Sequence, residues 1–231
     1  MKLSIIVPVF NEEKTIELVL RKLASLDLGE WEKEIIVVDD GSLDGSKKII
    51  SDFAKASSDK ENLKFLVHSE NFGKGAAIKT ALEHAIGDAV IIQDADLEYN
   101  PEEFNKLLSV FQNPEISAVY GSRNLNPKRR GYPHYVLGVA ILSGLTNILY
   151  GSALTDVYTC YKLFRSDVLK NLNIQSSGFE FEAEVTSKLL RSGHKILETP
   201  ISYSPRKFSE GKKIRFKDAV VGFWTILKNR F

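Results

Sequence analysis

Short apolar runs alternate with amphipathic segments through the first half of this 231-residue chain, and this alternation restricts the fold more than any other feature. The runs are rich in Ile and Val without regular polar alternation, which is typical of strands buried on both faces. The segments between them space their apolar residues as helices do. We predict strands at residues 3–9, 34–38, 63–67, 89–93 and 117–120, and helices at residues 12–26, 44–56, 75–86 and 101–111. This order predicts an α/β fold with a mainly parallel sheet and helices on both faces.

The second half is less regular. We predict strands at residues 162–164 and 195–203, and helices at residues 181–190 and 216–231. The last helix is amphipathic, with Lys217, Asp218, Lys228 and Arg230 outside its apolar stripe, and a basic run precedes it. We therefore assign residues 1–211 to one α/β domain that is large enough to be an enzyme. We assign residues 212–231 to a basic amphipathic helix that faces a membrane or a partner protein.

Residues 131–155 form a long stretch in which only His134 can carry charge. Its length is sufficient to cross a bilayer, but Gly, Ser, Thr and Asn dilute its apolar character, so we predict a buried or interfacial helix. The chain begins with Met1 and enters a strand without a secretory cleavage site, and its single cysteine cannot form an internal disulfide. These features predict a cytoplasmic domain. The net charge of +1 argues against a nucleic-acid partner.

Polar loops follow four of the predicted strands. They contain Asn11-Glu12 after the first strand, residues 39–44 after the second, residues 68–74 after the third and residues 94–98 after the fourth. Because ligands bind beyond the carboxyl ends of strands in parallel sheets, we expect these loops to share one edge and to form one site.

The loop after the fourth strand carries Asp94, Asp96 and Glu98 directly behind an apolar run. Three nearby carboxylates repel one another unless a cation neutralises them. Oxygen ligands suit Mg²⁺ or Mn²⁺, and these ions also bind phosphate oxygens. The pattern therefore favours a metal site over the alternative, a polar turn whose aspartate caps the next helix.

Two further loops suit a nucleotide. Asp39 and Asp40 end the second strand, where a carboxylate can accept hydrogen bonds from a nucleobase or a ribose; a plain turn is an equal alternative. Residues 71–75 precede a helix with two glycines and Lys74, a combination suited to phosphate. They lack the spacing of known phosphate-binding loops, so a loop without a ligand stays open.

In combination, these segments resemble family 2 glycosyltransferases of the GT-A fold, which is Rossmann-like. The resemblance covers most of the chain and rests on SIIVPVFNEE at residues 4–13, VVDDGSLDG at 37–45, NFGKGAAI at 71–78 and QDADL at 93–97. Later motifs resemble those of the dolichyl-phosphate mannose synthase-like and polyprenyl-phosphate glycosyltransferases: GSR at residues 121–123, TD at 155–156, TCYK at 159–162 and FEFE at 179–182.

The resemblance implies a role for each motif. The nucleotide-sugar donor would be bound by Pro8, Phe10, Asn11, Glu12, Val38, Asp39, Lys74 and Asp94. A Mg²⁺ or Mn²⁺ ion would be held by Asp94, Asp96 and Glu98, although mannose synthases often carry Gln at the last position. The phosphate of a polyprenyl acceptor would be bound by Arg123, Arg129, Arg130 and Arg206. The implied reaction is a single displacement with inversion by an enzyme peripheral to the cytoplasmic face of a membrane, or bound to a membrane-spanning partner.

Other functions stay open at this point. A glycosyltransferase that acts on a hydroxyl would share the donor site but would need a general base, for which Asp156, Glu180 and Glu182 are candidates. A non-enzymatic scaffold would not need the Asp94 and Asp96 pair. A nucleotidyltransferase would need a Gly-rich basic loop after the first strand, where Pro8-Val9-Phe10-Asn11 stands instead.

Overall fold

The computed structural model describes residues 1–57, 61–126, 132–206, 213 and 216–231, and these contain a seven-stranded sheet. Its strands are β1 Lys2–Val9, β2 Glu32–Asp39, β3 Leu63–Val67, β4 Ala89–Ile92, β5 Ile116–Ser122, β6 Lys162–Arg165 and β7 Lys195–Pro200. The order is β3-β2-β1-β4-β6-β5-β7, and all pairs are parallel except the two that β6 makes. The predicted α/β fold with a mainly parallel sheet is confirmed.

Helices cover both faces of this sheet, as the sequence predicts. They are α1 Ile16–Ser25, α2 Ser46–Ala56, α3 Lys74–His84, α4 Phe104–Phe111, α5 Pro133–Tyr150, α6 Ser166–Asn171, α7 Phe181–Arg191 and α8 Phe216–Lys228, with a short 3₁₀ helix at Pro101–Glu103. One core joins the sheet to α1, α2 and α4, and a second core joins its other face to α3, α6 and α7. Strand β1 contributes to both cores because it is buried on both sides.

The register of the strands brings their carboxyl ends to one edge. Val9 of β1 pairs with Asp39 of β2, which pairs in turn with Val67 of β3. Because β6 is antiparallel to both of its neighbours, β5 runs parallel to β4 and ends at the same edge, at Ser122. The insertion of β6 between β4 and β5 was not predicted, since nothing in a four-residue strand specifies its neighbours.

Helices α5 and α8 pack against each other outside α7. Leu142 and Ile226 are buried between them, and the Tyr150 hydroxyl donates to the Ile226 carbonyl at 2.8 Å. The predicted apolar stripe of α8 is only partly buried, because Val220 and Phe223 face outward. Among the helices that the structure describes, none combines the length and the apolar character needed to cross a membrane.

Candidate active site

A cavity of about 650 Å³ opens at the carboxyl edge of the sheet. The loops after β1, β2, β3, β4 and β5 line it together with the segment after β7. The prediction that the polar loops share one edge is therefore confirmed. The predicted site residues that line the cavity are Pro8, Phe10, Glu12, Lys74, Asp94, Asp96, Glu98, Arg123 and Arg206.

Asp94 lies at one end of a buried chain of alternating charges. The Lys74 ammonium is 2.8 Å from Asp94 and 3.2 Å from Glu182, and Glu182 also pairs with the fully buried Lys162. Burial opposes ionisation of Asp94, but the adjacent Lys74 lowers the pKa of this carboxyl below its usual value. Lys74 thus balances Asp94 before any ligand is bound.

Asp96 has much weaker compensation for its charge. Burial, together with repulsion from Asp94 and Glu98, raises the pKa of the Asp96 carboxyl to about 7. Its partner is Arg206, whose Nη2 is 2.9 Å from Asp96 Oδ2. The positive charge of Arg206 therefore does not fully offset the negative charge around Asp96.

Basic side chains from the C-terminal part of the chain enter this acidic region. Arg206 Nη1 lies 3.0 Å from both carboxylate oxygens of Glu12, and its Nε lies 3.7 Å from Glu98. Lys213 Nζ donates to Glu12 at 2.7 Å and to the carbonyl of Phe10. The guanidinium of Arg206 thus stands as a cation among three carboxylates.

The side chains fit a divalent cation chemically. All the donors are oxygens, the cluster already attracts positive charge, and the raised pKa of Asp96 would fall beside a cation. Within the described ranges, however, no three acidic, histidine or cysteine side chains already converge as they would around a bound ion.

Glu98 holds the segment that follows β7. Its carboxylate accepts from the Tyr203 hydroxyl at 2.6 Å and from the Arg206 backbone N–H at 2.8 Å, and its carbonyl accepts from the Ser204 N–H at 2.9 Å. The acid that differs from the mannose synthase pattern therefore has a clear role in positioning Arg206. Its assignment as a metal ligand stays a prediction.

Arg123 extends from the end of β5 into the cavity. Its Nε and Nη2 atoms donate to the two carboxylate oxygens of Asp156, both at 2.8 Å, and Nη2 also donates to the Tyr158 carbonyl at 3.0 Å. Glu198 accepts from the backbone N–H groups of Thr155 and Asp156, which fixes Asp156 in turn. Arg123 is therefore a mostly buried, oriented cation and differs from an exposed surface ion pair.

The three candidate general bases are not equally placed. Asp156 is fully buried and bound to Arg123 on both oxygens, and Glu182 lies between two lysines. Glu180 lines the cavity, although one of its oxygens accepts from the Ser177 and Gly178 N–H groups. Asp156 therefore orients the Arg123 guanidinium. Of the three candidates, Glu180 is the one that lines the cavity.

Three predicted donor-binding residues, Asn11, Val38 and Asp39, are not among the residues that line the cavity. Asn11 adopts a φ of 51° and links two loops, donating from its N–H to Ser42 and accepting from the Leu43 N–H at 2.8 Å. Val38 and Asp39 are buried at the end of β2. One oxygen of Asp39 has no hydrogen-bond partner among the described residues. Arg129 and Arg130 lie outside the described residues.

Several cavity residues were given no role from the sequence. They are Tyr99, Tyr158, Cys160, Phe179, Tyr203 and Lys213. Most lie on irregular segments where no periodicity marks an inward side. Lys213 belongs to the basic run before the last helix, which the sequence assigned to a surface that faces a membrane or a partner protein, and its ammonium lies 2.7 Å from Glu12.

Comparisons with known proteins agree with the fold. The family model described as glycosyl transferase family 2 matches residues 4–172. The chain is 30% identical to an uncharacterized protein of Methanocaldococcus jannaschii, over 85% of this chain and 86% of that protein. It is 28% identical to the undecaprenyl-phosphate mannosyltransferase of Micrococcus luteus, over 92% of this chain and 87% of that enzyme.

One further relative is matched over only part of its length, and one solved structure has a similar fold. The low-salt glycan biosynthesis hexosyltransferase Agl6 of Haloferax volcanii is 29% identical over 89% of this chain, which spans only 48% of that enzyme. Among solved structures, glucosyl-3-phosphoglycerate synthase from Mycobacterium tuberculosis, in complex with Mn²⁺, UDP and phosphoglyceric acid, superposes with a TM-score of 0.74. That match covers 99% of this chain and 78% of the other at 18% identity, and so supports the fold.

Proposed function

The chain belongs to glycosyl transferase family 2, and we propose that it transfers a hexose from a UDP- or GDP-sugar to a polyprenyl phosphate. The observation that carries this acceptor class is the arginine Arg123, which Asp156 fixes inside the cavity that also contains Asp94 and Asp96. A planar guanidinium suits phosphate oxygens. The mannosyltransferase of Micrococcus luteus, whose name specifies undecaprenyl phosphate, supports the same acceptor.

The donor occupies the side of the cavity formed by the loops after β1, β2 and β3. The unpaired buried oxygen of Asp39 is suited to accept a hydrogen bond from a nucleoside, because a buried oxygen without a partner is unfavourable. Pro8 and Phe10 provide an adjacent wall. The Mycobacterium synthase, which shares this fold and was solved with Mn²⁺ and UDP, supports a nucleoside diphosphate as the donor group.

Asp94 and Asp96, with Glu98, would hold Mg²⁺ or Mn²⁺. When bound, such an ion stabilises the negative charge that develops on a departing diphosphate. Arg206 pairs with Glu12 and Asp96, and Lys213 pairs with Glu12; we propose that both basic side chains turn toward the diphosphate or the acceptor phosphate when the donor is bound. Lys74 stays beside Asp94 and keeps this carboxylate ionised.

The chemistry requires positioning more than proton transfer. A phosphate acceptor is already ionised, so its oxygen can attack the anomeric carbon without a general base. Arg123 would bind and orient that phosphate opposite the departing diphosphate, and the sugar would invert in one displacement. The engagement of Asp156 and Glu182 with basic partners supports this base-free mechanism.

A hydroxyl acceptor is the second candidate. The observation that favours it is Glu180, a carboxylate that lines the cavity. If Glu180 removed a proton from a sugar hydroxyl, Glu180→Gln would stop transfer to that hydroxyl.

A lipid acceptor also requires contact with a membrane. Leu137, Ile141 and Ile148 lie on the outer side of α5, and Val220 and Trp224 lie on the outer side of α8, all exposed. Exposed Lys217, Lys228 and Arg230 accompany this apolar surface. We propose that the two helices rest on the cytoplasmic face of an anionic membrane, or on a membrane-spanning partner, through this surface.

The decisive experiment offers the purified protein UDP- and GDP-sugars with Mn²⁺ or Mg²⁺ and two acceptors in parallel. One acceptor is a short-chain polyprenyl phosphate, and the other is a panel of hydroxyl-bearing glycans. We expect mass spectrometry to detect a glycosylated polyprenyl phosphate that EDTA abolishes. Transfer only to the hydroxyl acceptors would replace the first proposal with the second.

A further inference from the structure

Tyr203 contacts residues at both ends of the proposed reaction centre. Its hydroxyl donates to Glu98 Oε2 at 2.6 Å, on the side of the metal carboxylates. Its ring faces the guanidinium of Arg123, whose carbon lies 5.1 Å from the ring centroid, on the acceptor side. The ring also packs against Tyr99, with 5.3 Å between centroids. One side chain thus connects two groups that act on different substrates.

The segment that carries Tyr203 is fixed on either side of it. Before it, the Ile201 N–H donates to the Ser122 carbonyl at 3.1 Å, and the Ser202 backbone and hydroxyl donate to Glu103 at 2.8 and 2.9 Å. After it, the Ser204 N–H donates to the Glu98 carbonyl at 2.9 Å. This segment has no regular secondary structure, so these contacts hold the ring in place.

We infer that Tyr203 is a positioning residue that sets the separation between the carboxylates of the metal site and the arginine of the acceptor site. The inference rests on the proposed function. A hydrogen-bonded phenol orients Glu98, as partners of metal-site carboxylates do. The face of the ring holds the Arg123 guanidinium by a cation–π contact. Transfer needs both substrates in register, and a small displacement of either lowers the rate.

Two substitutions separate the contacts. Tyr203→Phe removes the hydroxyl and keeps the ring, whereas Tyr203→Leu removes both. We would measure the Mn²⁺ concentration that gives half of the thermal stabilisation by UDP or GDP, and the KM for a short polyprenyl phosphate. Tyr203→Phe should raise the required Mn²⁺ concentration about tenfold and leave the acceptor KM unchanged. Tyr203→Leu should also raise the acceptor KM about two- to fivefold.

A matched control is Tyr150→Phe, which removes a hydroxyl hydrogen bond of 2.8 Å to Ile226, away from the cavity. It should change neither quantity. Wild-type Mn²⁺ dependence in Tyr203→Phe would overturn the inference, as would equal acceptor KM values in the Phe and Leu variants. The Phe variant keeps the packing of the ring, so the test survives if the Leu variant does not fold. If the wild-type protein shows no Mn²⁺-dependent nucleotide stabilisation, the proposed function itself is wrong.

Discussion

The two halves of the sheet present their site residues in different ways. Strands β1 to β4 present them at the strand end or on the short loop that follows, so that Glu12, Asp39 and Asp94 follow local apolar runs. The half built from β5, β6 and β7 fixes its residues through distant partners. Arg123 depends on Asp156, and Arg206 reaches Glu12 from 194 positions away. The first half supplies mainly acids that need a cation, and the second supplies cations held by tertiary contacts.

We infer from this difference that the two halves of the sheet have separate roles in binding. Neighbouring carboxylates repel one another, and the C-terminal segment offsets this repulsion with Arg206 and Lys213. Binding of the donor and a metal ion would replace these contacts and release the two side chains. The second half would then respond to what the first half has bound.

The largest effect should come from the acids of the first half. Asp94→Asn and Asp96→Asn should each lower transfer by about 10³-fold or more, because the metal-bound diphosphate loses several kcal/mol of stabilisation. Steady-state turnover with polyprenyl phosphate measures this loss, and circular dichroism checks the fold. Both side chains are largely buried in the cavity wall.

The control is Asp52→Asn on α2, where the aspartate is exposed and pairs with the neighbouring Lys48 and Lys55. It should retain full activity. Activity of the Asp94 or Asp96 variant near the wild-type value, or full turnover in EDTA, would show that transfer does not depend on a metal at this turn.

The same division explains what the sequence could predict. The strands of the first half, their loops and the acids behind β4 follow from apolar runs and polar ends, which are local signals. The position of β6, the pairing of Arg123 with Asp156 and the inward direction of Lys213 depend on contacts between distant segments. Tyr203 was missed for the same reason: the alternating pattern at residues 195–203 gave it a strand position and no partner.

The second prediction concerns the acceptor half. Arg123→Ala should raise the acceptor KM, or lower kcat, by about tenfold or more, because a charge-assisted contact with phosphate is worth about 1.5–3 kcal/mol. Arg123→Lys should restore only part of the activity, since an ammonium cannot bind two phosphate oxygens through parallel hydrogen bonds as a guanidinium does. Asp156→Asn should resemble Arg123→Ala because it releases the guanidinium. The measurement is the kinetics of each substrate varied separately.

In these variants, thermal stabilisation by nucleotide and Mn²⁺ should stay at the wild-type value. That result would show that donor binding and acceptor binding depend on different halves of the sheet. The exposed Arg21→Ala variant on α1 serves as a control. A loss of nucleotide binding equal to the loss of acceptor affinity would mean that the halves do not act separately.

The third prediction addresses the outer surface of α5 and α8. Ile148→Ser combined with Trp224→Ala should reduce binding to anionic liposomes by about threefold to tenfold, because both side chains are exposed and apolar. Co-sedimentation at low and high salt measures the loss. The control Ile86→Ser removes an equally exposed apolar side chain from the region after α3. Equal loss in the control, or no binding by the wild-type protein, would leave the surface to a partner protein.

The smallest effect concerns two acids of one turn that differ in compensation. The pKa of Asp96 is raised to about 7 in the folded protein, whereas Lys74 lowers that of Asp94. Between about pH 4 and pH 7 the folded state therefore binds more protons at Asp96 than the unfolded state does, and its stability falls as pH rises. Asp94 contributes no such slope there, because its stabilisation is lost only below about pH 4. In EDTA, the Tm of the wild-type protein should fall by about 2–4 °C relative to Asp96→Asn between pH 6 and pH 7. Saturating Mn²⁺ with nucleotide should remove this difference, since a bound cation favours the ionised carboxylate. Parallel Tm curves for the two proteins in EDTA would show that Arg206 already compensates Asp96, and the acidic half would then need no ligand to balance its charge.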